Sequence, residues 1–121
     1  MKPCFATTLL AFLPLPAMAA AEEPPVGRYR CYAPPSYSVT AWFDIVEPGR
    51  YLFQGRSAGR YAYDPAKNVV TWLDGGFAGD YAGARFYTPS DQAPTGQRYA
   101  IVLTPRDGRE APASECLLTT H

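Results

Sequence analysis

The sequence predicts an all-β fold, a small antiparallel up-and-down β-barrel of about eight short strands. Three observations carry that expectation. Apolar and aromatic residues alternate with polar ones in one short run after another. Turn-forming residues separate almost every run from the next. Two cysteines, Cys31 and Cys116, stand in the first and last of these runs.

The chain opens with a segment that reads as an export signal. Lys2 supplies a positive charge, Phe5 to Pro16 is a short apolar stretch, and Ala17-Met18-Ala19 is a small-x-small cleavage site. Residues 1–19 are expected to be a secretory signal peptide, which makes the protein periplasmic or secreted. Cys4 precedes the apolar stretch, so no lipid anchor is expected there. Residues 20–26, with Glu22-Glu23-Pro24-Pro25, read as a disordered leader, and residues 27–121 as a single β domain.

The strands follow in order. Gly27 to Tyr32 alternates, with Gly27, Tyr29 and Cys31 on one face, and Pro34-Pro35 breaks it. Ser38 to Val46 is rich in β-branched and aromatic residues. Val39, Ala41, Phe43 and Ile45 are expected to face the core, because the other face carries Asp44. Glu47-Pro48-Gly49-Arg50 is a tight turn. Tyr51 to Gln54 is a third strand and Gly55 to Ala58 a polar loop.

The clearest hairpin comes next. Tyr61 and Tyr63, then Val70 and Trp72, repeat a period of two on either side of Asp64-Pro65-Ala66-Lys67-Asn68. Asp opens that turn, Pro fixes its φ, and Asn tolerates a left-handed backbone. Asp74 to Gly83 is Gly-rich and irregular. Ala84 to Tyr87 is a sixth strand, and Pro89 to Gln97 a polar loop. Arg98 to Thr104, with Tyr99, Ile101 and Leu103 alternating, is a seventh. Asp107-Gly108 is a hairpin signal, Glu110 to Ala113 belongs to the connection, and Ser114 to Thr119 is the eighth strand.

A meander of this kind leaves two exposed edges, and closing it into a barrel removes them. Export makes a Cys31–Cys116 disulfide the expected state of the two cysteines. Such a bridge joins the first strand to the last, the two that a closed barrel pairs. Closing so long a loop stabilises by about 4–5 kcal/mol in the chain-entropy model. A β-sandwich also brings the termini together and stays open as the alternative.

Composition narrows function. Eleven basic residues balance eleven acidic ones. Nucleic acids and anionic membranes demand a basic excess, so neither is expected as a partner. No later run is long enough for a membrane helix, and the strands are shorter than the ~9–11 residues of a membrane barrel, so no membrane insertion is expected. The one His is His121, at the end of the chain, and Ser57 has no base near it. The protein is therefore expected not to be an enzyme, and to need no cofactor or metal.

The candidate binding residues are Arg56, Ser57 and Arg60, before and within the central hairpin, and Phe77 and Tyr81 in the irregular stretch. Loop arginines suit a partner's carboxylates, and aromatics off the strand pattern suit a ligand pocket at a barrel mouth. Asp74 and Asp80 flank a Gly-rich segment as a paired-carboxylate set, although turns also collect Asp and Gly.

Two resemblances follow from particular residues. The Gly-x-Tyr-x-Cys start (Gly27 to Cys31) and the Gly-x-Tyr-x-Tyr hairpin (Gly59 to Tyr63) resemble small exported bacterial β-barrel proteins of unknown function. Tyr29-Arg30-Cys31, Ser57-Ala58-Gly59-Arg60-Tyr61, Trp72-Leu73-Asp74-Gly75 and the late Cys116 resemble, more weakly, the periplasmic inhibitors of C-type lysozyme. That second resemblance implies an eight-stranded barrel whose loop Ser and Lys enter an acidic enzyme cleft. Here Asp74 stands where the Lys would be, and Arg60 is the cation available for its role.

The sequence thus points to an exported, non-catalytic binding or interaction module, recognising a small ligand or another exported protein. An inhibitor of a cell-wall hydrolase such as lysozyme is the alternative. A hydrolase or lyase using Asp74 and Asp80 is the second.

Overall fold

The alternation closes into a ring. The computed structural model describes residues 22–120. Its strands are β1 (Gly27–Ala33), β2 (Ser38–Glu47), β3 (Arg50–Phe53), β4 (Ser57–Asp64), β5 (Val69–Trp72), β6 (Tyr81–Tyr87), β7 (Ala100–Pro105) and β8 (Glu115–Thr120). Each pairs antiparallel with the next, and β8 returns to pair with β1, so the sheet is a closed barrel and the sandwich is set aside. Cys31 and Cys116 are register partners across that last seam and are joined as a disulfide at 2.07 Å. The expected signal peptide, residues 1–19, lies outside the described residues.

Inward positions carry large aromatics. Tyr29, Phe43, Tyr51, Tyr61, Trp72, Phe77, Tyr81 and Phe86 are buried together with Ile45, Val70, Ile101 and Leu103. Burying each such side chain stabilises by roughly 1.5–3 kcal/mol. Phe43 stacks on Tyr29 at 5.1 Å and meets Trp72 edge-on at 5.8 Å. The Tyr61 hydroxyl and Trp72 Nε1 are the buried side-chain polar atoms left without a hydrogen-bond partner among the described residues.

Register explains where alternation misled. Cys31 pairs with Ala41 but Tyr32 pairs with Val39, so Thr40 is an extra residue on β2. This β-bulge reverses the faces beyond it. Val39, expected in the core, is 53 % exposed, while Phe43 and Ile45 are buried as expected.

The chain's turns follow its chemistry. Gly49, at φ 85°, completes the β2–β3 turn, and Asn68, at φ 57°, the β4–β5 turn. The Ala66 amide donates to Asp64 Oδ1 at 2.9 Å, closing the latter from inside. The β3–β4 connection is tighter than the loop expected over Gly55 to Ala58. Gln54, at φ 49°, and Gly55, at φ 74°, turn the chain at once, and Ser57 and Ala58 already belong to β4. At the other extreme, Asp107-Gly108 makes a turn, Arg109 N donating to Arg106 O at 3.0 Å, but inside a connection that runs to residue 114.

The barrel has two unlike ends. One, here the strap end, carries the β2–β3 and β4–β5 turns and the 88–99 connection. Residues 22–26 lie against it, which corrects the disordered leader expected over residues 20–26 for the part that is described. Pro24 is buried, the Tyr29 hydroxyl donates to Pro25 O at 2.7 Å, and the Tyr99 hydroxyl donates to Glu22 Oε1. Two adjacent prolines stiffen the strap, and the barrel supplies its anchors, the buried Tyr29 and the partly buried Tyr99. The other, here the plug end, carries the connections 34–37, 54–56, 73–80 and 106–114.

Candidate functional site

The plug end is organised by one loop. β5 stops at Trp72, so the first half of β4 has no β5 partner. Residues 73–80 fold into that gap. Leu73 N donates to Arg60 O at 2.9 Å, and the chain then presses against the wall. Gly59 and Gly75 allow this. A Cβ on Gly59 would lie 2.5 Å from the Tyr51 ring, and one on Gly75 would lie 2.6 Å from the Gly59 Cα. Gly75 also takes φ 88°, a conformation costly for other residues.

The loop then drives Phe77 into the barrel, where it is 2 % exposed. Its ring meets Phe43, Tyr51, Phe53, Trp72 and Tyr81, nearest Trp72 at 4.7 Å. The Tyr51 hydroxyl holds both sides of the loop, donating to Asp74 O at 2.7 Å and accepting from Phe77 N at 3.1 Å. Burial pushes the Tyr51 hydroxyl above its usual pKa. Phe77 is thus a core plug before it is anything else.

Tyr81 is not in an irregular loop, because β6 begins there, three residues before the expected start. Its hydroxyl donates to Pro112 O at 2.7 Å and ties down the 106–114 connection. Arg106 joins the same two segments, its Nε donating to Ala78 O at 2.9 Å and its amide to Asp80 O at 2.8 Å. Burial raises the Tyr81 pKa as well.

Between these segments lies an open hollow of about 440 Å³. Its lining includes the apolar residues Phe53, Phe77, Tyr81 and Leu103 and the charged residues Asp80, Arg109 and Glu110. Its volume falls in the range of small-molecule sites, roughly 300–1,000 Å³. Two of the five candidate residues, Phe77 and Tyr81, therefore line one hollow.

The other three divide. Arg56 and Ser57 are exposed at the β3–β4 hairpin, at the same end. Arg60 is committed elsewhere. Its Nε donates to Asp74 Oδ2 at 2.8 Å, Nη2 lies 2.7 Å from that oxygen, and its own amide donates to Asp74 Oδ1 at 2.7 Å. The Arg60 side chain and amide hold the Asp74 carboxyl below its usual pKa. This pair borders a separate hollow of about 450 Å³ that includes Arg50 and Gly75. Asp74 and Asp80 thus line different hollows. Among the described residues, no group of three or more His, Cys, Asp or Glu is placed to hold a metal ion.

No protein family, curated protein or solved structure matches this chain. Sequence reasoning missed Arg109, Glu110 and Tyr51. Arg109 and Glu110 lie in a long connection without periodicity. Tyr51 looked like any inward aromatic, and only Gly59 opposite it, two positions before Tyr61, hinted at a ring lying flat over bare backbone.

Proposed function

We propose that this protein is an exported, non-catalytic binding module that takes a small ligand in the hollow at the plug end of the barrel. The observation that carries this reading is the hollow's lining, which combines the packed rings of Phe53, Phe77 and Tyr81 with the charged residues Asp80, Arg109 and Glu110. Such a mixture suits a ligand with an apolar body and a polar head. The disulfide supports export, since reducing compartments do not sustain such bridges. Among the described residues no helix is long and apolar enough to cross a membrane.

A small-molecule library screened by thermal shift tests the reading, with amide NMR shifts to locate each hit. The expected hits move Asp80, Glu110 and Ala111, and are lost on Ala111→Leu, which narrows the hollow. Hits that map nowhere near these residues, or no hit at all, would sink it.

One observation favours the inhibitor reading as a second. Arg56 and Ser57 project from a tight hairpin at this same end, a shape able to enter a cleft. Lysozyme activity with and without the protein tests it. Inhibition that disappears in Arg56→Ala/Ser57→Ala would make the hairpin the working surface, and no inhibition would remove this reading.

A further inference from the structure

On the outer wall, away from both hollows described above, a third is built around a carboxylate. Glu115 opens β8 and pairs with Tyr32 on one side and Val102 on the other. It is only 5 % exposed. Part of its cover is a turn from the 88–99 connection, Pro94-Thr95, closed by reciprocal backbone hydrogen bonds between Ala93 and Gly96 at 3.1 Å each. The Thr95 amide donates to Glu115 Oε2 at 3.3 Å. A buried carboxylate with one long amide bond is short of donors and of positive charge.

The space in front of it is a hollow of about 290 Å³, walled by Tyr32, Tyr37 and Leu117, with Arg98 also on its lining. Tyr37 is held at φ 54°, where bulky residues are rare, with its side chain half exposed. The Arg98 guanidinium lies over Gly96, whose missing Cβ would sit 3.8 Å from Nη2. Ion pairs among the described residues join Arg28 to Asp44, Glu47 to Arg50 and Arg60 to Asp74. Arg98 and Glu115 therefore face one hollow without pairing with each other.

A simple cation would meet Arg98, and a simple anion would meet Glu115. A molecule carrying both charges satisfies both. We propose that this outer hollow binds a free α-amino acid with an apolar side chain. Its ammonium donates to Glu115, its carboxylate accepts from Arg98, and its side chain lies against Tyr32, Tyr37 and Leu117. The volume sits at the small end of ligand sites, which suits one residue rather than a long peptide.

Titration of the isotope-labelled, disulfide-bonded chain tests this, with L-phenylalanine, N-acetyl-L-phenylalanine and L-phenylalaninamide as probes. L-phenylalanine is expected to shift the amides of Thr95, Arg98 and Leu117, and each blocked form to bind at least about tenfold more weakly. Glu115→Gln should erase the preference over the N-acetyl form, and Arg98→Gln the preference over the amide. A native-like spectrum of each variant separates lost binding from lost fold. Equal binding of phenylalaninamide would make the hollow a cation site, and equal binding of the N-acetyl form an anion site. Either result overturns the proposal. So do shifts confined to Phe77 and Asp80, which would place the amino acid in the plug-end hollow, and so does the absence of any shift at the solubility limit.

Discussion

The two ends of this barrel solve one problem differently. At the strap end, chain arriving from outside the ring lies across the strands, anchored through backbone by the Tyr29 hydroxyl on Pro25 O. At the plug end, chain belonging to the ring leaves it after β5, inserts Phe77, and rejoins at β6. A strap covers without disturbing the ladder. A plug requires the ladder to be broken, and the broken ladder leaves space around it. The 440 Å³ hollow borders the plug itself. The comparison teaches that a small closed barrel gains a hollow where its pairing is interrupted.

Truncating the plug breaks the comparison most severely. Phe77→Ala removes a ring that five others pack against, and should cost about 3–5 kcal/mol in a chemical denaturation curve. Amide exchange should quicken across residues 73–80 while Tyr29 stays protected. Uniform loosening of both ends would show that the plug and strap are one cooperative unit.

Removing one hydroxyl at each end sharpens the contrast. Tyr51→Phe strips the Phe77 amide of its acceptor as well as the bond to Asp74 O, and should cost about 1–3 kcal/mol. Tyr29→Phe removes a single donated bond and should cost about 1 kcal/mol. Equal losses in matched denaturation experiments would mean the Tyr51 hydroxyl does not hold the loop.

Alkaline pH gives the smallest and most graded effect. Burial raises the pKa of Tyr29 at the strap end and of Tyr51 and Tyr81 at the plug end. A tyrosine raised in the fold contributes stability that is fully present below its unfolded value, about 10, and is lost as the pH climbs through the folded value. The unfolding midpoint should therefore stay flat toward pH 10 and fall above it. Of these three Tyr29 is pushed up furthest, so Tyr51 and Tyr81 should ionise before it, which residue-resolved NMR titration of the tyrosine rings checks. A midpoint that rises above pH 10 would contradict this assignment.

Much of the wall was legible before any coordinates. Period-two runs marked β1, β2, β4, β5 and β7, and Cys31 and Cys116 marked the seam. What escaped depends on contacts between residues far apart in the chain. Thr40 is an extra residue between the pairs Cys31–Ala41 and Tyr32–Val39, so Val39 turns outward against its own pattern. Phe77 looked like a free loop aromatic because nothing near it in sequence repeats, and its packing partners come from β2, β3, β5 and β6. Arg60 looked available until Asp74, fourteen residues on, was brought against it. The strap was read as loose because its anchors, Tyr29 and Tyr99, are supplied by the barrel.

The two tryptophans sit on opposite sides of the wall. Trp42 lies outside beneath the Arg28 guanidinium, 4.2 Å from its ring centre, while Trp72 lies inside against Phe77. The molecule therefore carries its own optical gauge. Emission from Trp72 reports how dry the interior is and follows any movement of the loop beside it, while Trp42 glows with the colour of the solvent side and serves as the reference.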